Sequence, residues 1–167
     1  MQNVFELDEY RCVSGEVLKN VKVGYETYGT PNPDKSNAIL VCHYFSGNAR
    51  AAGPADDVYE LPGWWDKIIG PGKALDTDRY FIVCSNSLAN LNACDGYSVM
   101  TGPASENPAT GKAWGMDFPL VTVEDFVHVQ KRLLDHLGIE RLVAVAGPSG
   151  GSVQAIQWSV CLLYTSP

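Results

Sequence analysis

Several patterns that would place a protein in a class are missing from this 167-residue sequence. No apolar run is long enough to span a bilayer, and the first residues lack the basic-then-apolar order of a signal peptide. The five cysteines are an odd number without a CxxC pair, so reduced thiols are expected rather than a disulfide framework. These absences favour a cytoplasmic protein that does not associate with membranes.

Basic charge and metal-ligand patterns are also scarce. Lys and Arg number 12 against 19 Asp and Glu, which gives a formal net charge of −7 and an isoelectric point near 4.8. Nucleic-acid binding needs a basic face, so no nucleic-acid partner is expected. His128 and His136 are two helical turns apart, too far to share an ion, and we find no ligand set for a metal.

The composition that remains is that of a globular protein. Hydrophobic residues make up 46% of the chain, and its length is enough to bury a core. Because no repeat or linker interrupts the sequence, residues 1–167 are interpreted as part of a single domain. The amphipathic pattern ends after Trp158, which indicates a truncated reading frame whose last residues are not native.

Short apolar runs predict the strands. Alternating residues at 4–13 and 21–28 predict an antiparallel hairpin, and three continuous apolar runs predict strands buried on both faces, at 37–42, 79–84 and 141–146. The stretch 85–119 is rich in Asn, Gly, Pro and Ser, and loops of this length are usually functional.

One helix is clear between the second and third buried runs. Thr122 and Asp125 resemble a capping box, apolar residues then recur at helical spacing, and Gly138 ends the pattern. A shorter helix is expected from Gly151 to Trp158, and another is expected to begin at Trp64-Trp65. Buried strands alternating with helices predict an α/β fold with a mostly parallel sheet behind the hairpin.

The segment Gly147-Pro148-Ser149-Gly150-Gly151 matches the G-x-S-x-G pattern. It follows a predicted strand and precedes a predicted helix, which is the context of a nucleophile elbow. Such a turn lifts the serine hydroxyl clear of the sheet, and glycine is needed on both sides because larger side chains would collide. The alternative is an ordinary strand–turn–helix junction.

A second candidate segment, His43 to Gly47, follows the first buried strand. In a fold with a nucleophile elbow, the loop at this place contributes a backbone N–H to the oxyanion hole. His43 is expected to hold the shape of the loop rather than to act as a base. The alternative is a surface loop with no catalytic part.

From Val21 to about Trp158 the chain resembles the homoserine O-acetyltransferase family, acyltransferases of the α/β-hydrolase fold. The resemblance rests on many blocks in the same order: residues 62–66, 70–74, 76–81, 101–103, 107–111, 117–119 and 134–139. It implies an α/β-hydrolase fold with an N-terminal antiparallel hairpin, truncated after the nucleophile elbow, with the rest of the domain and its lid absent.

The resemblance also implies a ping-pong reaction on small-molecule substrates. Ser149 matches the nucleophile that takes an acetyl group from the co-substrate acetyl-CoA and passes it to L-homoserine, on the route to methionine. The backbone N–H groups of Phe45 and Gly150 match the oxyanion hole. No bound cofactor is implied, and a homodimer is expected of the full-length protein.

The family's catalytic Asp and His cannot be assigned here. Only residues 150–167 follow Ser149, and all three histidines precede it. We therefore expect residues 1–167 alone to be inactive and at best marginally folded.

Three departures from the family leave the reaction open. Gly150 stands where the transferases usually have methionine, Tyr44 and Phe45 replace small and aliphatic residues, and residues 88–97 replace a shorter glycine-rich segment. These differences are expected to line the acyl pocket. A serine esterase on the same fold is the first alternative, and a non-catalytic α/β module is the second.

Overall fold

The structure is a computed structural model that describes residues 2–161. Its main sheet has five strands in the order β1-β2-β6-β3-β9, and the other strands form two small two-stranded sheets. The strands are β1 (Asn3–Arg11), β2 (Val17–Tyr28), β3 (Ala38–Cys42), β4 (Ile69–Gly70), β5 (Leu75–Asp76), β6 (Phe81–Ser85), β7 (Glu106–Asn107), β8 (Lys112–Ala113) and β9 (Ala144–Ala146). The helices are α1 (Val123–His136) and α2 (Gly150–Cys161), with one 3₁₀ turn at Gly115–Asp117.

The predicted hairpin is confirmed. β1 pairs antiparallel with β2, and β2 continues the sheet by pairing antiparallel with β6. β2 begins earlier than the alternation indicated, because Leu18 is fully buried opposite Tyr10. The sequence obscured this start because Asn20, which has a positive φ of 53°, breaks the alternation between Leu18 and Val21.

The parallel part of the sheet places both faces of β3 in the core. β3 pairs in parallel with β6 on one side and with β9 on the other. Ala38, Leu40 and Cys42 pack under the helices, whereas Ile39 and Val41 face the segment that carries Trp64 and Trp65. Burial on both faces is therefore confirmed for β3 and largely for β6.

The third apolar run forms a strand over only part of its predicted length, and within residues 2–161 that strand is not buried on both faces. Only residues 144–146 form β9, Val143 is half exposed, and Ala144 is exposed. Within residues 2–161 β9 pairs only with β3, so it is an edge strand whose outer side lacks a cover.

The predicted long helix is confirmed as α1, with Thr122 and Asp125 forming the capping box and Gly138 at a positive φ of 69° just past its end. Trp64 and Trp65 lie in hydrogen-bonded turns rather than at the start of a helix. α2 continues past Trp158 to Cys161, and the remaining tail lies outside the described residues. None of the described helices is long and apolar enough to cross a membrane.

Candidate active site

Ser149 lies at the turn between β9 and α2, at the carboxyl end of the parallel strands. Its φ of 50° is in the left-handed region, which is costly for a residue with a Cβ. The side chain is exposed, and its hydroxyl makes no hydrogen bond to another described residue. The strained turn thus presents a free hydroxyl at the sheet edge, as a nucleophile elbow requires.

The flanking glycines are needed because the turn packs against the end of β3. A Cβ added to Gly151 would lie 2.1 Å from the carbonyl oxygen of Cys42, and one added to Gly147 would lie 2.4 Å from the same oxygen. These distances are far inside van der Waals contact, so only glycine fits at either position. The collision expected from the G-x-S-x-G pattern is therefore present.

Two backbone amides lie near Ser149. A Cβ built on Gly150 would lie 3.1 Å from the backbone nitrogen of Phe45. Neither the Phe45 N–H nor the Gly150 N–H donates a hydrogen bond to another residue within 2–161. Gly150 also opens α2, whose N-terminal dipole end favours negative charge. An oxyanion at this place could accept both N–H groups.

The Phe45 amide belongs to a tight turn. Gly47 N–H donates to the Tyr44 carbonyl at 2.8 Å, which makes Phe45 and Ser46 the corner residues. The Phe45 side chain is 76% exposed and points away from the core.

His43 is buried under this turn, and both of its ring nitrogens contact loop residues. Its Nδ1 lies 2.7 Å from the Tyr44 carbonyl, and its Nε2 accepts the Ser87 N–H at 3.2 Å. Burial lowers the pKa of the imidazole, which suits a neutral ring that donates at one nitrogen and accepts at the other. These contacts agree with a role in shaping the loop.

No base for Ser149 is found in the described part of the chain. His43 is occupied by its loop contacts, and His128 and His136 lie on α1. Among residues 2–161, no histidine forms a hydrogen bond with the Ser149 hydroxyl. The roles of Ser149, Phe45 and Gly150 therefore rest on geometry and resemblance, and they stay predictions.

A cavity of about 980 Å³ lies beside the 43–47 loop. Tyr44 and Ser46 contribute to one wall, and Trp64, Trp65 and Tyr97 contribute to others. The sequence indicated only packing for the two tryptophans. The Trp64 indole N–H donates to the Asn48 carbonyl at 2.9 Å, but nothing in the local pattern marks this contact.

Glu124, His128 and Cys161 bring their possible ligand atoms within 4.8 Å of one another, a grouping that sequence reasoning missed because Cys161 lies on another helix. Glu124 and His128 are an i,i+4 pair with 3.9 Å between nitrogen and oxygen, which explains their closeness without an ion. Cys161 is the last residue of α2, the helix that begins at Gly150.

No protein-family model matches the chain, but it is similar to homoserine O-acetyltransferases and to an esterase. The chain is 55% identical over 156 residues to the homoserine O-acetyltransferase of Methanococcoides burtonii, covering 93% of this chain and 30% of that protein. The crystal structure of esterase E22 is 56% identical, with a TM-score of 0.91 over 95% of this chain and 43% of that one. The crystal structure of homoserine O-acetyltransferase from Bacillus anthracis is 45% identical, with a TM-score of 0.93 over 98% of this chain and 44% of that one.

These similarities confirm the predicted α/β-hydrolase fold and the family resemblance. The chain spans about a third of the length of the curated relatives it matches, because it covers 30% of the first and 29% of the second. The fold of residues 2–161 is thus that of part of such an enzyme.

Proposed function

We propose that this homologue of the homoserine O-acetyltransferases provides the nucleophile and the oxyanion hole of an O-acyltransferase that acts on small molecules. The observation that carries the proposal is that the N–H groups of Phe45 and Gly150, which bond to no other residue within 2–161, lie beside the strained Ser149. Preorganised donors of this kind stabilise the charge that develops during acyl transfer.

In the first half-reaction, the Ser149 hydroxyl attacks the thioester carbonyl of acetyl-CoA. The Ser149 proton passes to a base, and the new oxyanion accepts the two N–H groups. Collapse of this intermediate breaks the carbon–sulfur bond, and the CoA thiolate takes the proton and leaves acetyl-Ser149. By resemblance, the base is a histidine supported by an aspartate, both carboxyl-terminal to Ser149.

In the second half-reaction, the hydroxyl of L-homoserine attacks the acetyl-Ser149 carbonyl. The same base takes the hydroxyl proton and returns it to Ser149 as the acyl–oxygen bond breaks, so the products are O-acetylhomoserine and free enzyme. The proposal places the reaction in the cytoplasm, in methionine biosynthesis, in a protein that we expect to form homodimers.

A serine esterase is the second candidate, and Gly150 is the observation that favours it. Gly150 has no side chain where the transferases usually have methionine, so less bulk beside the nucleophile shields the acyl-enzyme from water. The 56% identity to esterase E22 adds weight to this alternative. The two functions share the acyl-Ser149 intermediate, which the transferase passes to an amino-acid hydroxyl and the esterase passes to water.

The assay that separates them measures CoA release from acetyl-CoA by the full-length protein, with and without L-homoserine. Hydrolysis of an aryl acetate is followed in parallel, and the Ser149→Ala variant supplies the background. We expect homoserine to raise CoA release severalfold. Brisk aryl acetate hydrolysis with CoA release unchanged by homoserine would establish the esterase instead.

A further inference from the structure

We propose that Asn90 and Asn92 are positioning residues that fix the oxyanion loop, defined here as residues 43–47, so that the Phe45 N–H faces the reacting carbonyl. This inference rests on the proposed function, because it assigns a task to residues that support the same hole. Neither asparagine contacts the reacting atoms in the geometry described above.

The two side-chain amides hold the oxyanion loop from below. Asn92 Nδ2 lies 2.8 Å from the Gly47 carbonyl oxygen and 3.1 Å from that of Ser46. Asn90 Nδ2 donates to the same Gly47 oxygen at 3.0 Å and lies 3.2 Å from His43 Nε2. Both ends of the oxyanion loop are therefore anchored to a two-residue unit.

The unit is itself rigid. Asn92 N–H donates to Asn90 Oδ1 at 2.8 Å, so each asparagine fixes the other. Asn90 is 6% exposed, and its amide group is enclosed by polar partners. A buried amide with both donors satisfied has no easy alternative orientation.

The strained backbone before Asn90 also supports a fixed position for this residue. Ala89 has a φ of 53°, a conformation that costs free energy for any residue with a Cβ. Its N–H donates to the Thr101 carbonyl at 3.0 Å, which holds it in place. Strain of this kind persists only where the surroundings over-determine it, and it directs Asn90 inward towards His43.

The Phe45 N–H donates to no other residue within 2–161. The oxyanion loop is neither helix nor strand, so no regular ladder sets the direction of that amide. The direction of the Phe45 amide is set instead by hydrogen bonds on either side of it. The Ser46 and Gly47 carbonyls that follow accept from the asparagines, and the His43 ring that precedes lies beside Asn90. Residues 88–97, expected from the sequence to line the acyl pocket, thus support the hole through the oxyanion loop. Preorganisation of such donors determines how well they stabilise an oxyanion.

The test replaces each amide with an apolar side chain of similar shape that cannot form hydrogen bonds. The variants are Asn92→Leu and Asn90→Leu in the full-length protein. The matched control is Asn37→Leu. Asn37 Nδ2 also donates to two backbone carbonyls, those of Thr30 and Arg79, each at 3.1 Å, but it lies at the opposite end of β3. The probes are p-nitrophenyl acetate as substrate and phenylboronic acid, which forms a tetrahedral anionic adduct on a nucleophilic serine.

We expect kcat for the ester to fall about 10- to 100-fold in Asn92→Leu, less than the roughly 10²–10³-fold loss seen when a hole donor itself is removed. KM for the ester should stay within about twofold of the wild-type value, because the bound substrate does not use the oxyanion hole. The affinity for the boronate, whose adduct resembles the oxyanion, should fall by a factor similar to the fall in kcat. Asn37→Leu should change none of the three.

Wild-type kcat and boronate affinity in Asn92→Leu would overturn the proposal. If Asn90→Leu does not fold, half-buried Asn92 decides the matter alone. A wild-type protein that neither cleaves the ester nor binds the boronate would instead refute the proposed function, and this proposal would be refuted with it.

Discussion

At the scale of single residues, one carbonyl group explains why the elbow has glycine at positions 147 and 151. The oxygen of Cys42 lies so close to Gly147 and Gly151 that any side chain at either position must displace the end of β3. Ser149 between them accepts a left-handed φ of 50° that the fold imposes on it. The motif therefore encodes close packing of α2 against β3 as well as a reactive hydroxyl.

The substitution Gly151→Ala tests this packing. Its Cβ would stand 2.1 Å from the Cys42 oxygen, so we expect a loss in the free energy of unfolding of about 3 kcal/mol or more, the upper part of the overpacking range. Gly111→Ala is the control, since its Cβ meets open space and only its φ of 67° is unfavourable, at about 1 kcal/mol. Urea denaturation of both variants gives the comparison. Equal losses would show that α2 can move away from β3 at little cost.

The residues around the oxyanion loop show where sequence reasoning stops. G-x-S-x-G predicts the elbow because its meaning is contained in five neighbouring positions. The contacts of Asn90 and Asn92 with Gly47 join segments more than 40 residues apart in an irregular loop. No periodicity or turn signal encodes such a contact, so only the folded chain reveals it.

At the scale of elements, the strands and helix with a local signature were predictable. The hairpin, the two central strands and α1 each follow from alternation, continuous apolar runs or a capping box. β9 is shorter than the apolar run predicted, and its exposure is that of residues 2–161 alone, since the chain covers 30% of a curated relative.

Asp125 joins two elements, and its replacement tests that link. The carboxylate is fully buried, caps α1 by accepting the Thr122 N–H at 2.7 Å, and also accepts the Tyr10 hydroxyl and the Val13 N–H, each at 2.8 Å. We expect Asp125→Ala to lower the free energy of unfolding by about 3–4 kcal/mol, because it removes a cap and leaves buried donors unpaired.

The control for Asp125→Ala is Asp135→Ala in the last turn of the same helix. Asp135 makes an exposed pair with Lys131, so its loss should cost no more than about 0.5 kcal/mol. Thermal or urea unfolding measures both variants. A loss below about 1 kcal/mol for Asp125→Ala would mean that the hairpin and α1 are held together chiefly by their apolar contacts.

At the scale of the whole molecule, the sheet brings the pieces of the site to one edge. β3 and β9 run parallel and end side by side, so the loop after β3 and the elbow after β9 meet. The family resemblance was readable because its blocks are spread along the chain, and the comparisons confirm it. The aromatic cavity beside Tyr44 could not be predicted from the sequence, because segments far apart along the chain assemble it.

The central claim is that Ser149 carries the acyl group during turnover, and mapping the acyl-enzyme tests it most directly. The full-length protein is mixed with acetyl-CoA, quenched with acid, digested, and its peptides are sequenced by mass spectrometry. Ser149→Ala is the test variant. Ser159→Ala is the matched control, because Ser159 lies on α2, the helix that follows Ser149, and its hydroxyl donates to the Ile156 carbonyl. We predict an acetyl ester on Ser149 in the wild type and in Ser159→Ala, and neither adduct nor turnover in Ser149→Ala. An adduct on another residue, or undiminished turnover in Ser149→Ala, would contradict the account.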